Sequence, residues 1–309
     1  MKKLVVLNCE IALACNVAKR RSRIGSGIDR FAKWLLKYRV IAIPANIISN
    51  SKMAWSIVSR IDRVRVRRQR ERISKGILPK HISIIMDGNR RFAWNKSVGK
   101  NIGHQKGKEK LKQVMDWILD LEIPYLTVYA LSTENMSSRD NDELDSLYDL
   151  YVTGLTEISE DPRIHSKKVK VRAVGRIESL PERVRDAIIL AENRTSEYSN
   201  FVFTVCLAYG GREEIVDAVK NIATDFESGK IRLDEIDTNQ ISKRLYDSDI
   251  PDPDLVIRTS GEERVSNFLL WQIAYAELYF SEVHWPSFSK SDLYDAIENY
   301  QFRRRRFGE

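Results

Sequence analysis

From residue 80 onward, short apolar runs alternate with longer amphipathic stretches. The runs at 82–86, 125–131, 169–174, 201–208, 255–259 and 278–280 are rich in Val, Ile, Leu and aromatic residues. At this length, bounded by polar or glycine-containing segments, they predict strands, most of them buried on both faces. Apolar residues recur at helical spacing over 103–121, 142–158, 182–197, 213–227, 239–246 and 290–302, with Pro181 placed to open the third of these helices. Residues 87–102 and 175–181 read as loops. Strands alternating with amphipathic helices predict a single α/β domain: a central, mostly parallel six-stranded sheet surrounded by helices. No internal repeat or low-complexity tract interrupts it.

The N-terminal part follows a different pattern. Residues 31–38 and 55–61 interleave apolar and basic groups, and an Arg-rich helix over 61–75 ends at the Gly76–Pro79 break. This divides the chain into a basic, partly helical extension (1–75) and a body (76–309). Residues 1–75 hold 19 Lys+Arg against 4 Asp+Glu, a charge of +15; of the 51 and 43 in the whole chain, 32 and 39 remain for the body, a charge of −7. A basic front on an acidic body implies an anionic partner for the front. Basic helices carrying Trp and Leu suit the surface of an anionic membrane. Alternatively, residues 1–53 are a leader ahead of a second start at Met53. Interleaved aromatics that would make a single-strand nucleic-acid platform are missing, so no nucleic acid is expected.

Residues 4–18 come nearest to a membrane span, but Asn8, Glu10 and Asn16 break the run. The three cysteines, Cys9, Cys15 and Cys206, lack metal-ligand spacing and leave an odd one over. A cytoplasmic protein, peripheral at a membrane at most, fits these features.

Candidate chemistry gathers at three predicted strand ends, the rim where open α/β sheets bind ligands. The first strand stops at Asp87-Gly88-Asn89-Arg90-Arg91, followed by Lys100 and by Gly103-His104-Gln105-Lys106-Gly107. A carboxylate, exposed backbone N–H groups and arginine forks suit a metal ion and phosphate oxygens. A plain Asp-Gly turn with solvated arginines, and a capping role for His104, are the bland alternatives. Ser132-Thr133-Glu134-Asn135 follows the second strand and either caps the next helix or orients a ligand. The third cluster, Arg258 to Asn267, sets Arg258, Arg264 and Ser266 about a glycine turn, a pattern suited to clamping a diphosphate. There is no P-loop, dinucleotide fingerprint or nucleophile elbow.

Taken in order, these clusters closely resemble the cis-prenyltransferases, the undecaprenyl diphosphate synthase family. The resemblance covers about residues 76–309. It rests on His81-Ile-Ser-Ile-Ile-Met-Asp-Gly-Asn-Arg-Arg91, Tyr129-Ala-Leu-Ser-Thr-Glu-Asn135, Ala208-Tyr-Gly-Gly-Arg212, Asp254-Leu-Val-Ile-Arg-Thr-Ser-Gly-Glu262 and the run from Ser266 to Phe280. The family condenses isopentenyl diphosphate units onto an allylic diphosphate with cis geometry, giving long polyprenyl diphosphates, the precursors of glycosyl carrier lipids. The resemblance implies an apolar product tunnel and a homodimer. Asp87, Gly88, Asn89, Arg90, Arg91, Phe92, Lys100 and His104 would hold the allylic diphosphate. Arg258, Arg264, Val265 and Ser266 would hold isopentenyl diphosphate, and Mg²⁺ would sit between Asp87 and Glu277. Ser132 and Asn135 match positions tied to orienting isopentenyl diphosphate and removing its proton, and Thr133 and Glu134 would bind substrate beside them.

Several positions mark the archaeal branch or depart from the pattern. Arg90 replaces a glycine common in bacterial members, which favours geranylgeranyl over farnesyl diphosphate as starter. Lys100 and Met136 stand for an arginine and a bulky aromatic, and Arg139 lies one residue beyond the usual loop arginine. Arg306-Phe307-Gly308 matches an element that reaches the partner's site. The rival expectation is a non-catalytic, prenyl-lipid-binding partner subunit; it would lack Asp87 or the Arg258/Arg264 pair, and all three are present.

Overall fold

The computed structural model describes residues 52–307, with side chains from 63 to 303. The expected helix at 31–38 and Gly308 lie outside the described residues. Contacts group the chain into two units, 1–65 and 66–309. No helix among the described residues is long and apolar enough to cross a membrane.

Six strands form one sheet: β1 (His81–Ile85), β2 (Tyr125–Tyr129), β3 (Val169–Val174), β4 (Phe201–Cys206), β5 (Leu255–Arg258) and β6 (Glu277–Phe280). Their order is β3-β4-β2-β1-β5-β6 and every pair is parallel. The six strands fall where the apolar runs predict them, within two residues at each end. Both faces are covered. Ile82, Ile84, Leu255, Ile257 and Val205 enter the main core, while Ile85, Val256 and Cys206 enter a second cluster with Tyr209 and Phe268. This alternation across a doubly buried sheet is why the strands read as apolar runs. The second face also carries buried polar groups paired with each other: His81 Nε2 accepts from Thr127 Oγ1 at 2.8 Å, and Thr204 Oγ1 donates to Asp247 at 2.8 Å.

Among the described residues the α-helices are α1 (Lys52–Ile73), α2 (Asn89–Asn95), α3 (Lys100–Asp120), α4 (Thr133–Ser138), α5 (Asn141–Glu160), α6 (Pro162–Lys167), α7 (Glu182–Thr195), α8 (Gly211–Glu227), α9 (Thr238–Ser242) and α10 (Lys290–Phe307). α2 occupies part of the expected 87–102 loop. Its polar sequence lacks helical periodicity, but packing against α3 supplies what periodicity did not. Residues 66–73 of α1 lie on α10: buried Gln69 donates to Asp295 at 2.8 Å and accepts from Ser291 at 2.9 Å, and Gln301 donates to the Ile73 carbonyl at 2.8 Å.

Chain order places the reactive rim. From central β1 the chain moves to β2 on one side and later returns as β5 on the other. The gap between β1 and β5 is the point where strand order reverses, and a crevice opens there at the carboxyl ends. Ile85 and Arg258 are paired neighbours across it.

Candidate active site

Asp87 lies two residues past the end of β1 and meets the end of β5. Arg258 Nη2 donates to Asp87 Oδ2 at 2.8 Å, and Arg91 Nη2 stands 3.0 Å from Oδ1. Burial pushes the Asp87 carboxyl up, but the hydrogen bonds and charges of Arg258 and Arg91 outweigh it and hold it below its ordinary value. Asp87 is therefore ionised. Its carbonyl accepts from Thr259 Oγ1 at 2.6 Å and from Trp285 N at 3.0 Å, which fixes the turn. Gly88 adopts φ 102°, and a Cβ there would fall 2.8 Å from Ser260 Oγ, so only glycine fits.

The third cluster is built around Arg258, whose side chain is only 5% exposed. Its Nη1 donates to Ser266 Oγ at 2.7 Å and to the Arg264 carbonyl at 2.5 Å. The guanidinium thus ties the loop back onto β5 and leaves the Arg264 side chain, 61% exposed, at the mouth beside Glu262. Ser260, Ser266, Asn267 and Leu269 all take positive φ in this short stretch. Non-glycine residues held there are strained, and such strain is sustained where the surroundings over-determine the loop.

A buried carboxylate anchors the opposite wall. Glu143, near the start of α5, is approached by Arg139 at 3.0 Å, Lys100 at 3.3 Å and Arg90 at 3.8 Å. Burial raises its carboxyl, while Arg139, Arg90 and Lys100 hold it below the usual range. His104 Nε2 lies 3.5 Å from the same carboxylate. Burial and the nearby Arg139 charge lower the His104 pKa, so its imidazole is neutral near pH 7. Gly107, one turn further along α3, accommodates Asn89: a Cβ there would lie 2.5 Å from Asn89 Oδ1.

These walls enclose a cavity of about 670 Å³. At its polar head are Asp87, Asn89, Arg90, His104, Ser132, Glu134, Asn135, Arg139, Arg258, Arg264 and Ser266. Below them the lining becomes apolar, with Leu147, Leu150, Leu155, Ile158, Phe203 and Val205 drawn from α5 and β4. Of seven buried side-chain polar atoms without a partner among the described residues, four belong to the head: Asn89 Oδ1, His104 Nε2, Arg139 Nε and Arg258 Nε. Buried polar atoms normally find partners. Four of these exceptions sit on residues that line one cavity, which singles out its polar head as the candidate site for a polar ligand.

Not every candidate residue reaches the cavity wall. Arg91 acts on Asp87 and Glu262, and Lys100 acts on Glu143, from behind the lining. Gly88, Phe92, Thr133 and Val265 do not line it. Ser132 caps α4, accepting from Asn135 N at 3.0 Å, and also lines the cavity, so the capping role does not remove it from the cavity wall. Arg139 lines the cavity despite its shifted register.

Glu277 is the exception. It pairs with Leu255, which pairs with Ile82, so it stands level with the start of β1. Asp87 follows the end of β1, five residues on from Ile82, roughly 16 Å away along the strand. Within one chain the two carboxylates occupy opposite rims of the sheet, and Glu277 instead pairs with Arg303 at 3.1 Å. The expected two-carboxylate metal site is therefore not formed within one chain.

Two residues outside the candidate set complete the head. Asn267 Nδ2 donates to Glu134 at 2.9 Å and to Glu213 at 3.0 Å, while its Oδ1 accepts from Arg212 N at 2.9 Å, joining three strand-end loops. Glu262 bridges Arg91, at 2.8 Å, and Arg264. Their only sequence signal is their place within the Arg258–Asn267 cluster.

A polar, net cationic head opening into an apolar channel at the reversal point of a parallel sheet defines an enzyme site for an amphiphile with an anionic headgroup. The family model described as "Putative undecaprenyl diphosphate synthase" matches residues 85–308. The chain belongs to this family of prenyltransferases. It is 52% identical over 238 residues to the tritrans,polycis-undecaprenyl-diphosphate synthase (geranylgeranyl-diphosphate specific) of Methanopyrus kandleri, covering 77% of this chain and 88% of that one. The protein of the same name from Pyrococcus horikoshii is 50% identical, covering 77% and 90%. Among solved structures, lavandulyl diphosphate synthase from Lavandula x intermedia, in complex with dimethylallyl diphosphate, superposes with a TM-score of 0.70 at 36% identity, covering 75% of this chain and 99% of that one.

Proposed function

We propose that this protein elongates an allylic diphosphate, geranylgeranyl diphosphate in preference to farnesyl diphosphate, by successive cis additions of isopentenyl diphosphate, and works as a homodimer. The observation that carries the reading is the cavity itself: a net cationic head, four of whose residues carry a buried polar atom without a hydrogen-bond partner among the described residues, opens into an apolar channel. The archaeal relatives at about half identity support the starter.

In each cycle the allylic C–O bond breaks, diphosphate departs, and the terminal carbon of isopentenyl diphosphate bonds to the allylic carbon. Loss of one proton from the new unit restores the double bond, so the products are the longer diphosphate, inorganic diphosphate and a proton. Asn89, Arg90 and His104 are placed to bind and orient the departing diphosphate, and Arg258, Arg264 and Ser266 the incoming one. The Ser132 oxygen accepts from Asn135 N, so its hydroxyl hydrogen remains available to donate to substrate at the head. The apolar walls exclude water from the reacting carbons, which strengthens every charge interaction at the head.

The donor set fits Mg²⁺ of the kind shared with substrate: one ionised carboxylate at the rim, with phosphate oxygens and water completing the shell. No cluster of three or more His, Cys, Asp or Glu among the described residues would hold a metal without substrate. Asp87 would hold the ion, which would neutralise charge on the departing diphosphate.

The test is incorporation of radiolabelled isopentenyl diphosphate with Mg²⁺, supplying geranylgeranyl or farnesyl diphosphate separately. Long cis products with the first starter preferred are expected. No incorporation with either, from folded protein, overturns the reading.

A further inference from the structure

The tunnel wall between α3 and α5 is closed by charge at two levels. At the head, Lys100 and Arg139 converge on Glu143. Further down, Lys108 Nζ lies 3.0 Å and Lys112 Nζ 2.5 Å from the carboxylate of Glu157. Lys108 and Lys112 line the cavity, whereas Glu157 does not. Both side chains are thus part of the wall, and their ammonium groups reach across to Glu157 on α5. Lysine is suited to this, with an apolar stem behind a charged tip. Gly154 leaves room for one stem, since a Cβ there would meet Lys108 Cδ at 3.6 Å and nothing nearer.

The spacing of the two levels is set by the helices. Glu143 and Glu157 are fourteen residues apart on α5, and Lys100 and Lys112 twelve apart on α3, so at the rise of an α-helix the levels are roughly 18–21 Å apart. By ordinary bond geometry an extended polyprenyl chain advances roughly 4–5 Å per five-carbon unit, so four units span that interval. A twenty-carbon starter tail anchored at the head ends near the second level, and every later unit must pass or fold under it.

We propose that the Lys108–Glu157–Lys112 clasp closes the flank of the tunnel between α3 and α5 and thereby limits the length of the polyprenyl product. This rests on the chain-elongating reading above. Without Glu157 the two ammonium groups repel and turn to solvent, which is within reach because the Lys112 side chain is already 33% exposed. The flank then opens beside the growing chain. The polar head, which sets the condensation itself, is untouched.

The experiment compares full-length protein with its Glu157→Ala, Glu157→Asp and Lys108→Ala variants, using geranylgeranyl diphosphate, radiolabelled isopentenyl diphosphate and Mg²⁺, with products resolved by chain length. Glu157→Ala and Lys108→Ala should shift the main product to longer chains by at least one five-carbon unit. The first condensation should keep its rate, and Glu157→Asp, which retains the charge, should stay near the parent distribution. An unchanged or shortened distribution in both alanine variants overturns the proposal. Two separate sites of substitution guard against one variant failing to fold. Absence of any incorporation by the parent protein would instead overturn the function on which the proposal rests.

Discussion

Asp87 has two demands on one carboxylate. It receives Arg258 and Arg91, and it stands at the cavity head at the end of β1. Asp87→Ala removes the ion-holding oxygen while both arginines keep other partners: Ser266 and the Arg264 carbonyl for Arg258, Glu262 for Arg91. The fold should survive. Turnover should fall by about 10²–10³, the scale of losing one preorganised electrostatic contact to the transition state. Steady-state kinetics alongside circular dichroism measure this, and near-parental kcat would refute the role. A second residue reports on stability. His81 donates Nδ1–H to the Pro251 carbonyl at 2.7 Å and accepts from Thr127 at Nε2, and burial lowers its pKa from 6.5 to about 4. With the folded value below the unfolded one, the unfolded chain takes up the proton first as pH falls. Stability is therefore full above pH 6.5 and declines toward pH 4, by up to about 3 kcal/mol. Urea midpoints at pH 7 and 4.5 should diverge more for the parent than for His81→Asn; equal divergence would refute the assignment.

At the scale of elements, what the sequence discloses depends on whether the signal is local. The strands were legible because burial on both faces leaves continuous apolar runs, and the Asp87–Arg91 and Arg258–Ser266 clusters because their members are neighbours in the chain. α2 was not legible: Asn89 to Asn95 show no apolar period, and the helix is defined by its contact with α3. The misplacement of Glu277 has a related cause. A carboxylate beginning a strand and one following a strand look alike until register sets them at opposite rims. Glu143 lies far in sequence from Lys100 and His104, so their shared partner emerges only with α3 against α5. The α2–α3 contact gives a test. In Gly107→Ala the new methyl meets Asn89 Oδ1 and must displace the Asn89 side chain or part the helices. Overpacking of this kind costs about 1–3 kcal/mol. The predicted result is a raised KM for the allylic diphosphate with a smaller change in KM for isopentenyl diphosphate. Equal changes in both would show that Asn89 does not select between the two diphosphates.

For the whole molecule the decisive quantity is the uneven charge, +15 over residues 1–75 against −7 for the rest. Pattern alone exposed this, because charge counts need no contacts. A product that grows by five apolar carbons per cycle is insoluble in water and must leave into lipid. We infer that the basic front brings the acidic body to an anionic surface that would otherwise repel it. Each Lys or Arg near such a surface contributes about 1 kcal/mol, and the attraction decays within a Debye length, about 8 Å at physiological ionic strength. Binding should therefore require anionic lipid and weaken steeply with salt. Flotation with phosphatidylglycerol vesicles should recover full-length protein at low salt and lose it at high salt, while phosphatidylcholine vesicles recover little at either. Replacing the six cations at 63, 65, 67, 68, 70 and 72 by glutamine should lower recovery while leaving isopentenyl incorporation in detergent unchanged, since none of them lines the cavity. Salt-independent recovery, or equal recovery on both lipids, would place the attachment in apolar contact and remove charge as its cause.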